Sequence, residues 1–247
     1  MIAHDVAPGV IGITQASTNC YLVEADDGLT FVDAGLPRTW ALADQAVRES
    51  SHTWADVSAI VLTHAHFDHL GFAARAQREH GVEVWVHEGD LRIAKHPYGY
   101  HPGRPRLLYP LKHPRAIRHL AAMTAAGALR VKGVPRVRTF GDGDMLQVPG
   151  HPHVIATPGH TDGHCALHLP DREVIFTGDG LVTLDPYTGR TGPRIVARAG
   201  THDGERAVES LEVMALTNAA IVLPGHGEPW TAGVADAVRR AWREGAA

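Results

Sequence analysis

Short β-rich segments that alternate with helical segments predict an α/β fold for this chain of 247 residues. Runs of β-branched and aromatic residues recur at 10–14, 20–25, 29–32, 60–62, 82–86, 137–140, 145–148, 153–156, 165–169, 174–177 and 220–223. Apolar residues with helical spacing occupy 40–49, 71–80, 204–216 and 233–244. Several β-rich segments also end at a small residue followed by His or Asp, which is where open α/β sheets carry their chemistry.

Turn and capping residues mark the ends of these segments. Asp26-Asp27-Gly28 predicts a hairpin turn, Gly81 is expected to end the helix 71–80, and Thr231 is a candidate N-cap of the last helix. Between 88 and 136 the composition changes, with Pro, Gly, Tyr, His and Arg crowding 92–114 before an Ala-rich helical stretch at 115–129. Connections longer than about 15 residues are uncommon without a function. We therefore expect an inserted, partly helical cap at about 88–136 within a single domain of residues 1–247.

The composition excludes several classes of protein. Apolar residues make up 44% of the chain and charged residues 20%, which are globular values, and the net charge of -4 lacks the basic excess of nucleic-acid-binding proteins. No run approaches the roughly 20 apolar residues of a membrane span, and no secretory signal begins the sequence. Cys20 and Cys165 are expected in the core. These observations predict a cytoplasmic monomer or homodimer that acts on a small molecule.

Four side chains able to bind a metal stand within six positions, directly after the β-rich segment 60–62: His64, His66, Asp68 and His69. A single His beside an apolar strand is more often a hydrogen-bonded residue than a ligand, and the chain has 18 histidines. The spacing nevertheless favours metal binding. On an extended or looping backbone His64 and His66 point the same way, while Asp68 and His69 can turn towards a second point a few ångströms away. The cluster therefore predicts two neighbouring metal ions.

Three further β-rich segments end at a possible ligand. His160, Asp179 and His226 each follow a small residue at the end of such a segment. Any one of these, taken alone, is more typical of a turn that carries a polar residue. Together with the first cluster they present five His and two Asp at strand ends, and this set predicts a metal site.

The motifs THAHFDH, TPGHTDGH, TGD and PGHG, in this order, resemble the metallo-β-lactamase superfamily from about residue 19 to residue 227. The resemblance implies a four-layer αββα sandwich of two mixed β-sheets flanked by helices, with the metals at one edge. Asp33, at the end of the FVDAG segment, matches the carboxylate that fixes a ligating imidazole in this family. The resemblance also implies the ligands of each metal, which are His64, His66 and His160 for the first, Asp68, His69 and His226 for the second, and Asp179 as a bridge between them.

Imidazoles and carboxylates without thiolates suit Zn²⁺, and Fe or Mn fit the same donors. Two ions about 3.5–4 Å apart can share a water whose pKa falls from about 15.7 towards 7, which makes a metal-bridging hydroxide available at neutral pH. One metal can also polarise the carbonyl of an ester, lactone or thioester. Asp68 is then expected to orient the hydroxide and to pass its proton to the leaving group. The predicted activity is that of a binuclear zinc hydrolase.

The resemblance leaves the branch of the superfamily open. Asp179 argues against the zinc β-lactamases, whose second site lacks this bridging carboxylate. Glyoxalase II-like thioesterases share TPGHT and TGD but carry a helical glutathione-binding region after the last His, whereas 20 residues follow Gly227 here. Quorum-quenching lactonases carry a Tyr three residues after the bridging Asp, where this chain has Val182. Tyr187 is a candidate substitute, although a Pro-Tyr turn is equally typical of a surface loop.

The cap and one additional histidine allow alternatives. Tyr98, Tyr100 and several Arg either line a pocket over the metals and select the substrate, or solvate a helical flap. His164, four residues after His160, is expected to be structural or to support a ligand. The alternative function is a mononuclear non-haem iron oxygenase resembling the persulfide dioxygenases, which use the same motif with one iron on two His and one Asp.

Overall fold

Two mixed β-sheets form the centre of the protein, for which a computed structural model describes residues 1–100, 103 and 112–245. Within those residues the first sheet has seven strands, in the order β1 to β7. Neighbours from β1 to β4 are antiparallel, and neighbours from β4 to β7 are parallel. These strands span Ile2–Ala7, Val10–Gln15, Thr18–Ala25, Gly28–Val32, Val57–Val61, Glu83–His87 and Arg138–Phe140.

The second sheet joins four strands of the described chain in the order β13, β10, β9, β8. β13 is parallel to β10, whereas β9 is antiparallel to both β10 and β8. A separate hairpin pairs β11 with β12. The strands β8 to β13 span His153–Ala156, Cys165–Leu169, Val174–Gly178, Val182–Leu184, Thr191–Arg194 and Ile221–Pro224.

The two sheets pack face to face because side chains alternate between the two faces of each strand. In β3, Tyr21 and Val23 belong to the apolar layer between the sheets, while Cys20 and Leu22 belong to the layer on the outer face. In the central layer the ring of Tyr21 lies 5.3 Å from the ring of Phe176, a residue of the second sheet. The central layer therefore joins the sheets directly.

Helices cover both outer faces. In chain order, α1 to α7 span Trp40–Glu49, Ala73–His80, Leu91–Lys95, Ala116–Ala125, Gly204–Glu209, Leu211–Ala215 and Val234–Glu244. α1 and α2 pack on the first sheet, and α5, α6 and α7 pack on the second. The layers follow the order α, β, β, α, which confirms the fold predicted from the sequence.

Three local predictions are wrong. The helix predicted at 204–216 is interrupted at Ser210, whose hydroxyl donates to the carbonyl of Pro158 at 2.7 Å. The strand predicted at 145–148 is reduced to an isolated bridge at Met145, because the chain turns back at Gly150 with φ 87°. α7 starts after Gly233, which adopts φ 85° as the N-cap, a conformation that favours glycine, so Thr231 does not cap it.

A long connection separates β6 from β7, although these strands are parallel neighbours. Its described part contains α3 and α4, and residues 101–102 and 104–111 lie outside the described residues. The bounds of the cap, like the single domain of residues 1–247, stay predictions. No helix within the described ranges is long and apolar enough to cross a membrane.

Candidate metal centre

Loops from both sheets meet at one edge of the sandwich. The loop after β5 carries four of the predicted ligands, while Asp179 directly follows β10 and His226 lies two residues after β13. His160 lies on the loop between β8 and β9. The side chains of all seven predicted ligands are buried. The fold therefore gathers at one buried place residues that are far apart in the sequence.

The first group of donors consists of His64, His66 and His160. One ring nitrogen of each lies within 4.8 Å of those of the other two. His160 Nε2 lies 2.9 Å from His66 Nδ1. Three imidazole nitrogens around one point form a donor set for a single cation.

The second group consists of Asp68, His69 and His226, whose donor atoms also lie within 4.8 Å of one another. Asp68 Oδ2 is 3.3 Å from His226 Nε2 and 3.9 Å from His69 Nε2. Asp179 lies between the two groups. Its carboxylate oxygens are 3.5 Å from His160 Nε2, 3.4 Å from His69 Nε2 and 3.3 Å from His226 Nε2. The structure thus brings together all seven side chains that the sequence predicts as ligands.

Four buried polar atoms in this cluster have no hydrogen-bond partner among the described residues. They are His64 Nε2, His69 Nε2, His226 Nε2 and Asp179 Oδ1. A buried polar atom without a partner destabilises a fold, and such atoms are rare. Metal cations would engage the imidazole lone pairs and the carboxylate oxygen together, and this set of nitrogen and oxygen donors suits them. The residues present therefore fit a metal site.

Burial and the carboxylates set the charges in the cluster. Burial lowers the pKa of His64 well below its usual range and the pKa of His160 to about 4. Burial also disfavours protonation of His226, but the carboxylates of Asp179 and Asp68 outweigh it and raise the pKa of His226 to about 10. Protonated imidazole thus balances the carboxylates, and a divalent cation competes with those protons for the same donors.

Asp33 fixes the orientation of His69 from behind the cluster. Its Oδ2 accepts a hydrogen bond from His69 Nδ1 at 2.9 Å, which leaves His69 Nε2 facing the other ligands. The same carboxylate accepts hydrogen bonds from the amide and the hydroxyl of Thr63, each at 2.8 Å. Asp33 adopts φ 61°, a left-handed conformation that is uncommon outside glycine. A strained backbone position therefore accompanies its contacts with the site.

Threonines hold two further imidazoles through their second nitrogen. His64 Nδ1 lies 3.1 Å from Thr63 Oγ1, and His160 Nδ1 lies 3.2 Å from Thr201 Oγ1. The Thr201 hydroxyl donates to the carbonyl of Val196 at 2.7 Å, so it accepts the proton of His160. Thr201 could not be predicted from the sequence, because it lies 41 residues after His160 and no motif marks it.

Asp90 joins the two loops that carry the first donor group. It is fully buried, and its carboxylate accepts hydrogen bonds from the amide of Ala65 at 2.9 Å, the hydroxyl of Thr161 at 2.8 Å and the amide of Gly163 at 2.9 Å. Burial raises the pKa of Asp90, whereas these three donors oppose the rise. Asp90 could not be predicted either, because no motif marks the short turn after β6 in which it lies.

His164 supports Asp179 through the backbone. Its Nε2 accepts hydrogen bonds from the amides of Asp179 at 3.2 Å and Gly180 at 3.0 Å, and its Nδ1 lies 2.8 Å from Thr157 Oγ1. Burial lowers the pKa of His164 to about 3, so the ring stays neutral and keeps a lone pair for these amides. Nε2 therefore holds the loop that presents Asp179, while Thr157 holds the ring from its other nitrogen.

We expect His164→Ala to lower the free energy of unfolding by about 2–4 kcal/mol, because two buried amides lose their acceptor. Chemical denaturation measures the change. His168→Ala is the matched control, since His168 lies on the strand that follows His164 and is only partly buried. Equal losses of stability in the two variants would contradict the role assigned to His164.

Gly225 approaches the ligands more closely than a side chain would allow. A Cβ at this position would lie 2.3 Å from Asp179 Oδ1 and 2.7 Å from His69 Cε1. We expect Gly225→Ala to displace these ligands and to weaken metal binding by about tenfold or more. Gly141→Ala is the control, because nothing lies within 4 Å of a Cβ there. Titration with metal measures both variants, and wild-type affinity in Gly225→Ala would count against this account.

A pocket open to solvent lies beside the first donor group. His66 and His160 line it from the candidate metal centre, and Arg92 and Tyr100 line it from the connection between β6 and β7, where the cap is predicted. The ring of Tyr100 lies 4.0 Å from the ring of His66, measured between centroids. A molecule in this pocket would therefore contact both the cap and a proposed metal ligand.

The other two tyrosines predicted to contact substrate lie elsewhere. The Tyr98 hydroxyl donates to the carbonyl of Ala128 and accepts from the amide of Val131, each at 2.8 Å, which ties two parts of the cap together. Tyr187 packs beside Gly200, where an added Cβ would lie 2.6 Å from Tyr187 Cε2. Neither tyrosine is among the described residues that line the pocket. Contact of either residue with substrate stays a prediction.

Comparison with known proteins finds relatives over most of the chain. A model described as the metallo-beta-lactamase superfamily matches residues 13–226. The probable metallo-hydrolase YflN of Bacillus subtilis is 27% identical over 248 residues, which cover 92% of this chain and 87% of YflN. The hydroxyacylglutathione hydrolase GloC of Haemophilus influenzae is 25% identical over 237 residues, which cover 91% of this chain and 92% of GloC.

Solved structures share the fold. TTHA1429, a metallo-beta-lactamase family protein of Thermus thermophilus, matches with a TM-score of 0.70 at 23% identity, over 96% of this chain and 79% of that one. TTHA1623 in a di-iron-bound form matches with a TM-score of 0.58 at 27% identity, over 87% of this chain and 90% of that one. The region matched by the family model contains all seven side chains of the metal centre. This chain belongs to the metallo-β-lactamase superfamily.

Proposed function

We propose that this protein is a metal-dependent hydrolase that cleaves a small ester, lactone or thioester. The observation that carries the proposal is the position of Asp179, whose carboxylate lies within 3.5 Å of imidazoles from both donor groups. A carboxylate shared by two sets of ligands is suited to a pair of ions that act together. Membership of the superfamily and the names of YflN and GloC support hydrolysis as the reaction class.

Each donor group would hold one ion, and Asp179 would contact both. When bound, two divalent ions would polarise the carbonyl of the substrate and lower the pKa of a water molecule. Zinc is the ion we propose, because the donors are imidazoles and carboxylates around a small buried site. TTHA1623 has been solved with two irons, so iron is the first alternative to zinc for this chain.

Asp68 is the residue that we propose for proton transfer. Its Oδ2 lies 3.3 Å from His226 Nε2, within the second donor group. His226 and His69 are less suited to the task, because Nδ1 of each is engaged, by the carbonyl of Ser17 and by Asp33 respectively. A carboxylate at this position can accept a proton from water and return it to the alcohol or thiol that leaves.

The pocket beside the first donor group is the proposed place of the substrate. Ile93, Tyr100 and Arg92 line it with an apolar, an aromatic and a cationic side chain, a mixture that suits a small molecule. A thioester is included among the candidates because GloC is named as a hydroxyacylglutathione hydrolase. The 20 residues after Gly227 do not set this chain apart from GloC, since the match covers 92% of that protein.

One sample can test both the metal and the reaction. Metal-replete protein would be analysed for its elements and assayed against lactones, thioesters, phosphodiesters and nitrocefin. We expect close to two zinc ions per chain, and hydrolysis of an ester, lactone or thioester that is lost in His64→Ala. One iron per chain with oxygen uptake on a persulfide would favour the oxygenase instead. Unchanged hydrolysis in His64→Ala would contradict both activities.

A further inference from the structure

A chain of contacts runs from helix α4 of the cap to His226 through the turn between β2 and β3. Ser17 lies in this turn. Its carbonyl accepts a hydrogen bond from His226 Nδ1 at 2.6 Å, and its hydroxyl lies 2.8 Å from His119 Nδ1. His119 is a buried residue of α4. One residue of the turn therefore touches both a proposed metal ligand and the cap.

The conformation of this turn is strained. Gln15 pairs with Thr18, so the hairpin loop consists of Ala16 and Ser17 alone, with φ of 52° and 65°. Two-residue turns with positive φ at both positions usually contain Asn and Gly, because other side chains are unfavourable there. Such strain persists only where neighbouring structure holds it in place. The contacts of Ser17 with His226 and His119 are among those that hold the turn in this conformation.

Arg118 sets the direction of the hydrogen bond between His119 and Ser17. The Nε of Arg118 donates to His119 Nε2 at 3.2 Å, so the proton of the neutral ring lies on Nδ1 and is donated to the Ser17 hydroxyl. Burial, followed by the charge of Arg118, lowers the pKa of His119 and favours this neutral form. The link therefore has a defined donor and acceptor at each step.

An apolar cluster also connects α4 with the turn between β2 and β3 and with the loop that carries four of the proposed ligands. Met123 of α4 belongs to a small buried cluster against which both Ala16 and Phe67 pack. Ala16 precedes Ser17 in the strained turn, and Phe67 lies between the ligand positions 66 and 68. A residue of α4 thus belongs to a cluster against which both the turn behind His226 and the loop of His64, His66, Asp68 and His69 pack.

We propose that Ser17 and His119 are positioning residues for the second metal ion. They hold His226 with its Nε2 towards Asp68 and Asp179. The affinity for that ion therefore depends on the position of α4 relative to the turn that contains Ser17. The inference rests on the proposed function, since it concerns the same metal pair. It gives the cap a task in metal binding, in addition to the two alternatives that the sequence suggests, which are selection of the substrate and solvation of a helical flap.

A double-mutant cycle tests the link. Ser17→Ala, His119→Ala and the double variant would be titrated with zinc against a competing chelator. We expect each single change to weaken binding of the second ion by about 10- to 100-fold, with the first ion unaffected. The double variant should lose no more than either single variant, because both remove the same link.

Two control variants accompany the cycle. His119→Gln, whose amide can donate to Ser17, should recover most of the affinity. Thr124→Ala on the exposed side of α4 should bind like the wild type.

Several results would overturn the proposal. They are wild-type affinity in Ser17→Ala, equal weakening of both ions, or additive losses in the double variant. Wild-type protein that binds fewer than two ions would contradict the proposed function instead.

Amide hydrogen exchange in the loop 225–227 then tests the link without metal. Faster exchange in both single variants would support the link, and unchanged exchange would refute it.

Discussion

Asp179→Ala is expected to lower the rate of hydrolysis by about a thousandfold or more and to leave at most one tightly bound ion per chain. The physical reason is that this carboxylate lies within 3.5 Å of imidazoles from both donor groups, so its removal separates the two metal positions. Without the metal pair, the transition state loses several kcal/mol of stabilisation. Each 1.36 kcal/mol added to the activation free energy lowers the rate about tenfold. Steady-state kinetics and elemental analysis of the same preparation measure the two effects.

Two further variants make this prediction specific. Asp171→Ala removes an exposed carboxylate from the turn before β10 and should leave metal content and rate unchanged. Asp179→Asn keeps one oxygen but removes the charge, and we expect an intermediate loss. Two ions per chain together with wild-type turnover in Asp179→Ala would show that this carboxylate does not join the metal positions.

Asp33→Ala is expected to weaken metal binding by about 10- to 100-fold, although Asp33 is not a proposed ligand. Removal of its carboxylate frees His69 to rotate and leaves the amide and hydroxyl of Thr63 without their acceptor. Alanine must also adopt φ 61° at this position, which is unfavourable for it. Stability should therefore fall together with affinity, as measured by chemical denaturation and metal titration.

Asp33→Asn separates the effect of losing the negative charge from the effect of the unfavourable backbone conformation. Asparagine tolerates the left-handed conformation better than alanine does, and its carbonyl oxygen can still accept one hydrogen bond. We expect Asp33→Asn to retain more stability than Asp33→Ala but to bind metal more weakly than the wild type, because its amide lacks the negative charge that holds His69. An Asp33→Ala variant with unaltered affinity for both ions would refute the orienting role.

The metal ligands could be predicted from the sequence because their signals are local. His64, His66, Asp68 and His69 lie on one loop, and the other three ligands each follow the end of a β-rich segment. Strands of one sheet bring such ends to a common edge, so the order of motifs predicts the site without knowledge of the loops. The αββα order likewise follows from the resemblance of the motifs, and the structural comparisons confirm it.

Apart from Asp33 and His164, the supports of the ligands could not be predicted, because they act over long separations. Asn19 is an example: its side-chain amide donates to the carbonyls of Pro224 at 2.9 Å and Gly227 at 2.7 Å, which lie 205 and 208 residues away. Asp90 likewise reaches Thr161 across 71 residues. Hydrogen bonds of this kind have no fixed spacing and leave no pattern in the sequence.

Some elements of the fold were missed for a different reason. β1 is an edge strand with exposed His4 and Asp5, so its apolar alternation is weak. β11 and β12 form a short hairpin outside both sheets, and Pro193 lies within β12. Proline is confined to edge positions in sheets, and a short segment that contains it is not typical of a strand.

The central claim is that two cations occupy the edge of the sandwich, one in each donor group. The most direct test is anomalous diffraction from crystals of zinc-loaded protein, recorded above and below the zinc absorption edge. This account predicts two peaks about 3.5–4 Å apart. One peak should lie against His64, His66 and His160, and the other against Asp68, His69 and His226, with Asp179 touching both. A single peak, or peaks away from these side chains, would contradict it.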